Sequence, residues 1–136
     1  MKTLNSNQLG TVGKAGEDAA ADYISQNGYT VVARNVRFGR NEIDLIAEDS
    51  KYIVFFEVKT RTVSPYPGTG RFGSPAEAVT YRKQSHILEA VRAYLREERP
   101  ARFPRIDVLE VYLDRTENGL ALNRIHHIRN AFGAHK

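Results

Sequence analysis

An α/β sandwich is the fold class this sequence predicts. Three observations predict it: an alanine-rich helical segment near the N-terminus, three closely spaced strand patterns behind it, and a second long helical pattern set between those strands and two more. A chain of 136 residues buries roughly two-thirds of its unfolded surface in one core, so residues 1–136 are expected to form a single domain with one active centre. The short gaps among the first three strands predict an antiparallel meander. The second helix then carries a crossover, expected to be right-handed, to the fourth strand.

Each element has its own signal. From about Thr11 to Asn27, Ala15, Ala19, Ala20, Tyr23 and Ile24 recur at helical spacing, and Gly28 stands where a left-handed cap ends a helix. Tyr29 to Phe38 is rich in β-branched residues, Asn41 to Glu48 alternates, and Lys51 to Thr60 is apolar on both faces over Ile53 to Phe56, which predicts a central strand. Gly39-Arg40 and Asp49-Ser50 are the turns between them. Pro65, Pro67, Gly68, Gly70 and Gly73 break the pattern, so residues 62–73 are expected to be a mobile loop. Ser74-Pro75-Ala76-Glu77 is a capping box with proline at the first helical position. It opens a helix expected to bury Val79, Ile87, Leu88, Val91 and Leu95 and to end before Pro100. Strands at about Arg105–Leu113 and Leu120–Ile128 flank a turn at Asn118-Gly119, and a frayed tail is expected over 130–136.

Composition narrows the function classes. With 41% hydrophobic and 26% charged residues the chain reads as a soluble globular protein, and no apolar run approaches the roughly 18 residues of a membrane span. Met1 to Gly10 lacks a secretory core and there is no cysteine, so a cytoplasmic location is expected and thiolate zinc sites are excluded. The net charge of +4 comes from 20 Lys+Arg against 16 Asp+Glu, with arginine outnumbering lysine, a composition suited to phosphate contacts. By itself that charge says little about partners.

The chemistry gathers on two strands. Side chains two apart share a strand face, so Glu57 and Lys59 continue the face that Ile53 and Phe55 began, while Glu42 and Asp44 share a face with Ile46 against Ile43, Leu45 and Ala47. A two-residue turn at Asp49-Ser50 sets Glu42 opposite Glu57 and Asp44 opposite Phe55. A slip of two residues sets Asp44 opposite Glu57, and a one-residue bulge separates them. Carboxylates held this close need a cation, a proton or a basic neighbour, and hard oxygen ligands select Mg2+ or Mn2+ over zinc. Lys59 beside such an ion could orient the attacking water or stabilise charge on phosphate. A surface Glu57–Lys59 ion pair with a solvated Asp44 fits the same residues. Glu17 lies near Ile24 on the helical wheel and so could approach these carboxylates, although the simpler reading of its position is first-turn placement favoured by the helix dipole.

Gly16-Glu17-Asp18-Ala19-Ala20, Ala33-Arg34-Asn35, Glu42-Ile43-Asp44-Leu45-Ile46-Ala47, Phe56-Glu57-Val58-Lys59-Thr60-Arg61 and Lys83-Gln84 together resemble the YraN family of small uncharacterised bacterial proteins, over nearly the whole chain. That family is similar in fold to the PD-(D/E)XK nucleases, in particular the archaeal Holliday-junction resolvases. The resemblance implies a restriction-endonuclease-like sandwich with a central mixed five-stranded sheet. It implies a metal held by Asp44, Glu57 and the helix residue Glu17, with Lys59 assisting the water. Asn41 departs from the glycine usual before Glu-Ile-Asp, so the rim near Asp44 is expected to differ.

Arg61, Arg71, Arg82, Lys83 and Gln84 are the expected nucleic-acid contacts, with Tyr66 and Phe72 interleaved around the loop. His126 and His127 cannot share a strand face and are expected to be surface or packing residues. Asp107 is compatible with a prop behind the site or with a solvent-facing position. Two function classes lead, ahead of an assembly factor that recruits a partner through its edge strands, which leaves the acidic cluster unexplained. One is a metal-dependent endonuclease acting on DNA, with structured or branched DNA as the substrate that the resolvase likeness suggests. The other is a nucleic-acid-binding module that keeps the fold without hydrolysis. A homodimer is left open by the sequence.

Overall fold

The computed structural model describes residues 12–63 and 80–133. Their element order is α1 (Val12–Gln26), β1 (Thr30–Phe38), β2 (Asn41–Glu48), β3 (Tyr52–Val63), α2 (Tyr81–Glu98), β4 (Phe103–Thr116) and β5 (Gly119–Ile128). The five strands form one sheet in sequential order, with β3 in the middle. β3 and β4 are parallel, joined across α2, and the other neighbours are antiparallel. This is a mixed five-stranded α/β sheet of the restriction-endonuclease-like kind. Among the described residues no helix is long and apolar enough to cross a membrane.

A helix covers each face. Ala15, Ala20 and Ile24 of α1 pack with Leu45, Ala47, Val54, Phe56, Leu109 and Val111. Ile87, Ala90 and Val91 of α2 pack with Ile46, Ile53, Phe55, Ile106 and Val108. β3 thus sends alternate side chains into both cores, the reason its sequence is apolar on both faces. α1 ends as its sequence requires: the Asn27 and Tyr29 amides both donate to the Ile24 carbonyl, and Gly28 adopts φ 92°, where a side chain would be strained.

Four boundaries differ from the sequence expectation. β3 runs to Val63, because Arg61 to Val63 are paired in a parallel ladder with Tyr112 to Asp114 before the prolines begin. α2 opens at Tyr81, since Thr80 is extended (φ −67°, ψ 162°) and its hydroxyl accepts from the Lys83 amide; Ser74 to Glu77 lie outside the described residues. The β4–β5 turn is Glu117-Asn118, with Gly119 already paired to Thr116 at φ 128°. Residues 130–132 are docked rather than frayed: the Asn130 amide donates to Asp107, the Ala131 amide to the Ile106 carbonyl, and Phe132 packs on the α2-side core. Residues 64–73 of the expected loop and 134–136 of the expected tail lie outside the described residues.

Candidate metal centre

The β2–β3 register sets which carboxylates meet. Glu48 pairs with Ile53 and Leu45 with Phe56, the pairing slipped by two residues from a turn at Asp49-Ser50. The turn centres on Ser50-Lys51. The Asp49 carboxylate accepts from the Lys51 and Tyr52 amides at 2.8 and 2.7 Å, which hold its pKa below the usual carboxylate range. One step beyond Leu45–Phe56, Asp44 stands opposite Glu57. The ladder opens there, and Asp44 Oδ2 takes the Val58 amide at 2.8 Å in place of a backbone carbonyl.

Strict alternation fails at the same point. Ile43 and Ile46 both enter the α2-side core while Leu45 and Ala47 enter the α1-side core; on β1, Ala33 and Val36 likewise both face α2. The cause is Asn35, a non-glycine residue at φ 52°, set across from Asp44 where the β1–β2 pairing skips from Arg34–Leu45 to Val36–Ile43. Asp44 therefore does not share a face with Ile46, as simple alternation requires. The local break frees its carboxylate to lie toward α1.

Helix α1 brings the next ligand. It presses on β3 so closely that a Cβ on Gly16 would stand 1.8 Å from Thr60 Oγ1, so only glycine permits this approach. The following residue, Glu17, has a carboxylate oxygen within 4.8 Å of those of Asp44 and Glu42. The Asn35 side chain hydrogen-bonds Glu17, so one left-handed residue both bends the strand and orients the helix glutamate. Burial first, then the Asp44 charge, raises the Glu17 pKa. Glu42, which also pairs with Arg37 at 3.2 Å, completes this group. The sequence alone does not single out Glu42 or Asn35 as site residues. The signals it holds are Glu42's i−2 spacing from Asp44 and asparagine's tolerance of the left-handed region.

Glu57 is almost fully buried and hydrogen-bonded to Asp44. Burial and then the Asp44 charge push its pKa up to about 8, so the pair holds one proton between them at neutral pH. Burial likewise raises Asp44. Lys83, on the first turn of α2, stands 3.7 Å from Glu57. A pocket of about 470 Å3 is lined by Glu17, Asp44, Glu57, Lys59, Thr80 and Lys83 among others.

The expected nucleic-acid contacts separate. Lys83 faces the pocket; Arg82 is exposed and Gln84 half-buried, and neither lines it. Arg61 is half-buried, its buried Nε without a hydrogen-bond partner among the described residues, and Arg71 lies outside them. Asn41 donates to Glu89 of α2 at 2.8 Å, so the rim beside Asp44 is tied to the helix. The histidines face opposite ways, as adjacent strand residues must. His126 meets Glu110 at 3.1 Å, and His127 is packed against Tyr23, Tyr29 and Phe56. Asp107 does not face solvent: it is fully buried and bonded by His127 Nε2 at 2.7 Å, by Arg105 at 2.8 and 2.9 Å, and by the Asn130 amide.

These features define an α/β domain of the restriction-endonuclease-like kind with a carboxylate-lined pocket at the open seam of β2 and β3. Residues 16–111 match the family described as uncharacterised protein family UPF0102. The chain is 41% identical over 133 residues to a UPF0102 protein of Caldanaerobacter subterraneus subsp. tengcongensis, covering 97% of this chain and 100% of the relative. It is 47% identical over 104 residues to one of Symbiobacterium thermophilum (74% and 80%) and 38% identical over 122 residues to one of Dehalococcoides mccartyi (89% and 92%). The chain belongs to the UPF0102 family, also called YraN.

Proposed function

We propose that this protein is a metal-dependent endonuclease that hydrolyses phosphodiester bonds in DNA, with structured or branched DNA as its substrate class. The observation that carries the reading is the convergence of Glu17, Glu42 and Asp44 within 4.8 Å, with Glu57 bonded to Asp44, beside Lys59 and Lys83. The donor set fits a hard divalent ion: every ligand is a carboxylate oxygen, and their mutual repulsion is relieved here by a shared proton and by Lys83. Asp44 and Glu17, with Glu42, and Asp44 with Glu57, are the residues that would hold Mg2+ or Mn2+. A bound ion would supply Lewis-acid polarisation of phosphate and a more acidic water.

The chain's own residues take the other roles. The Val58 amide fixes Asp44, and Asn35 fixes Glu17, so two carboxylates keep their aim without substrate. Lys59, two residues after Glu57 and lining the pocket, orients the water whose oxygen bonds to phosphorus as the phosphorus–oxygen ester bond breaks. Lys83 leaves Glu57 for a phosphate oxygen. Arg82 and Gln84, next to Lys83 at the start of α2, and Arg61, two residues after Lys59, would meet the phosphates of a strand lying beyond the pocket itself.

One observation favours a second reading, a nucleic-acid-binding module: with Lys83 on Glu57 and a proton on the pair, the charges of Asp44 and Glu57 are already offset without metal. The experiment is a cleavage time course on linear, single-stranded, flapped and four-way DNA with Mg2+, Mn2+ or chelator. Cutting that needs metal and is lost in Asp44→Ala supports the nuclease. Binding to all four DNAs with no cutting supports the module.

A further inference from the structure

We propose that Glu110 is a positioning residue for Lys59, an inference that rests on the role given to Lys59 above. The α2-side face of the sheet continues past the part that α2 packs on. By the alternation that puts Ile53, Phe55, Ile106 and Val108 in the α2-side core, it carries Glu57, Lys59 and Arg61 on β3 and Glu110 and Tyr112 on β4. Lys59 and Glu110 are direct partners in the parallel ladder. Glu110 is 1% exposed, and Tyr112 and His126 both bond it, His126 Nδ1 lying 3.1 Å from its Oε1, yet its Oε2 has no hydrogen-bond partner among the described residues. A buried acceptor left open costs on the order of 1–3 kcal/mol, more when charged, so a donor is wanted at this oxygen.

Lys59 is the donor in register. Among the described residues its ammonium makes no ion pair, and Glu57, the acid two residues back, is already engaged by Asp44 and Lys83. Neighbouring strands lie about 4.8 Å apart, within the reach of a four-carbon stem, so a rotamer change sets the ammonium on Glu110 Oε2. Arg61 is the competing donor, its buried Nε without a partner among the described residues, but its ladder partner is Tyr112 and Glu110 is only its diagonal neighbour. Held by Glu110, the ammonium stays at the pocket wall and off Glu57, leaving that carboxylate to a cation.

The test reads the ammonium directly. In protein labelled with 15N-lysine and saturated with Mg2+, the Lys59 ammonium signal, identified by its loss in Lys59→Arg, is expected to be protected from exchange with water and to disappear in Glu110→Gln. In cleavage, Glu110→Gln is expected to lower kcat about 10-fold with KM unchanged, and to change nothing further in a Lys59→Ala background. A Lys59 signal indifferent to Glu110→Gln, or an equal kcat loss in both backgrounds, overturns the proposal. Should Glu110→Gln fail to fold, the wild-type signal decides, because an unprotected ammonium there also overturns it. A responsive ammonium in a protein that cuts no DNA keeps the Lys59–Glu110 pair and sinks the nuclease reading instead.

Discussion

Replacing Glu57 with Gln tests the electrostatics of the pocket without any substrate. In the folded chain Glu57 keeps its proton up to about pH 8, whereas its ordinary value is 4.5. Its folded pKa lies above its unfolded one, so its contribution to stability is fully present below pH 4.5 and is lost progressively as pH rises to about 8. At 1.36 kcal/mol per pH unit the loss reaches roughly 3 kcal/mol at pH 7 and roughly 5 kcal/mol above pH 8, a ceiling because Asp44 shares the proton. The introduced glutamine cannot ionise and still donates to Asp44. In chelator, thermal melts from pH 5 to 9 should therefore show wild type falling away from Glu57→Gln, with the variant about 10 °C more stable at pH 8. Groups away from the pocket titrate alike in both proteins, so the difference isolates the Glu57–Asp44 pair and the Lys83 ammonium that faces it. Parallel curves, or a less stable variant across the range, would refute the buried proton.

Four further outcomes follow from the same geometry. Lys59→Ala should reduce metal-dependent cleavage by about 100-fold or more while leaving DNA affinity within about twofold, read by single-turnover kinetics and filter binding. Gly16→Ala should force α1 off Thr60, costing on the order of 2 kcal/mol by denaturant unfolding and weakening Mn2+ affinity through Glu17. Asp107→Ala should cost about 3–5 kcal/mol in the same assay, because it strands Arg105 and His127 in a buried network far from any proposed ligand role. DNA affinity should fall steeply between about 50 and 200 mM salt in an anisotropy titration; a flat dependence would count against phosphate contacts.

Much of the fold was legible because local rules agreed with the tertiary result. The cap at Gly28, the two-residue turn at Gly39-Arg40 and the doubly apolar β3 each have one physical solution. The β2–β3 register was not legible from turn statistics, since Asp49 forms its turn through its side chain and moves the tip by one residue. Nor was the break at Asn35 and Asp44. Alternation is a rule about regular strands, and a left-handed asparagine suspends it where the site is built. The meeting of Asp44 with Glu57 was one of the registers that strand spacing allowed, and spacing also set Glu42 on Asp44's face, while the approach of Glu17 to both depended on how closely α1 packs on β3. Asp107 was undecided because burial of an aspartate depends on three partners distant in the fold's wiring, His127, Arg105 and the Asn130 amide.

The central claim, that these carboxylates hold a divalent cation, is tested most directly by anomalous diffraction from crystals soaked in Mn2+. The expected result is a peak in contact with Asp44 and with Glu17, Glu42 or Glu57, and Lys83 withdrawn from its 3.7 Å approach to Glu57. A millimolar soak that leaves Lys83 on Glu57 and no peak at Asp44 would contradict it.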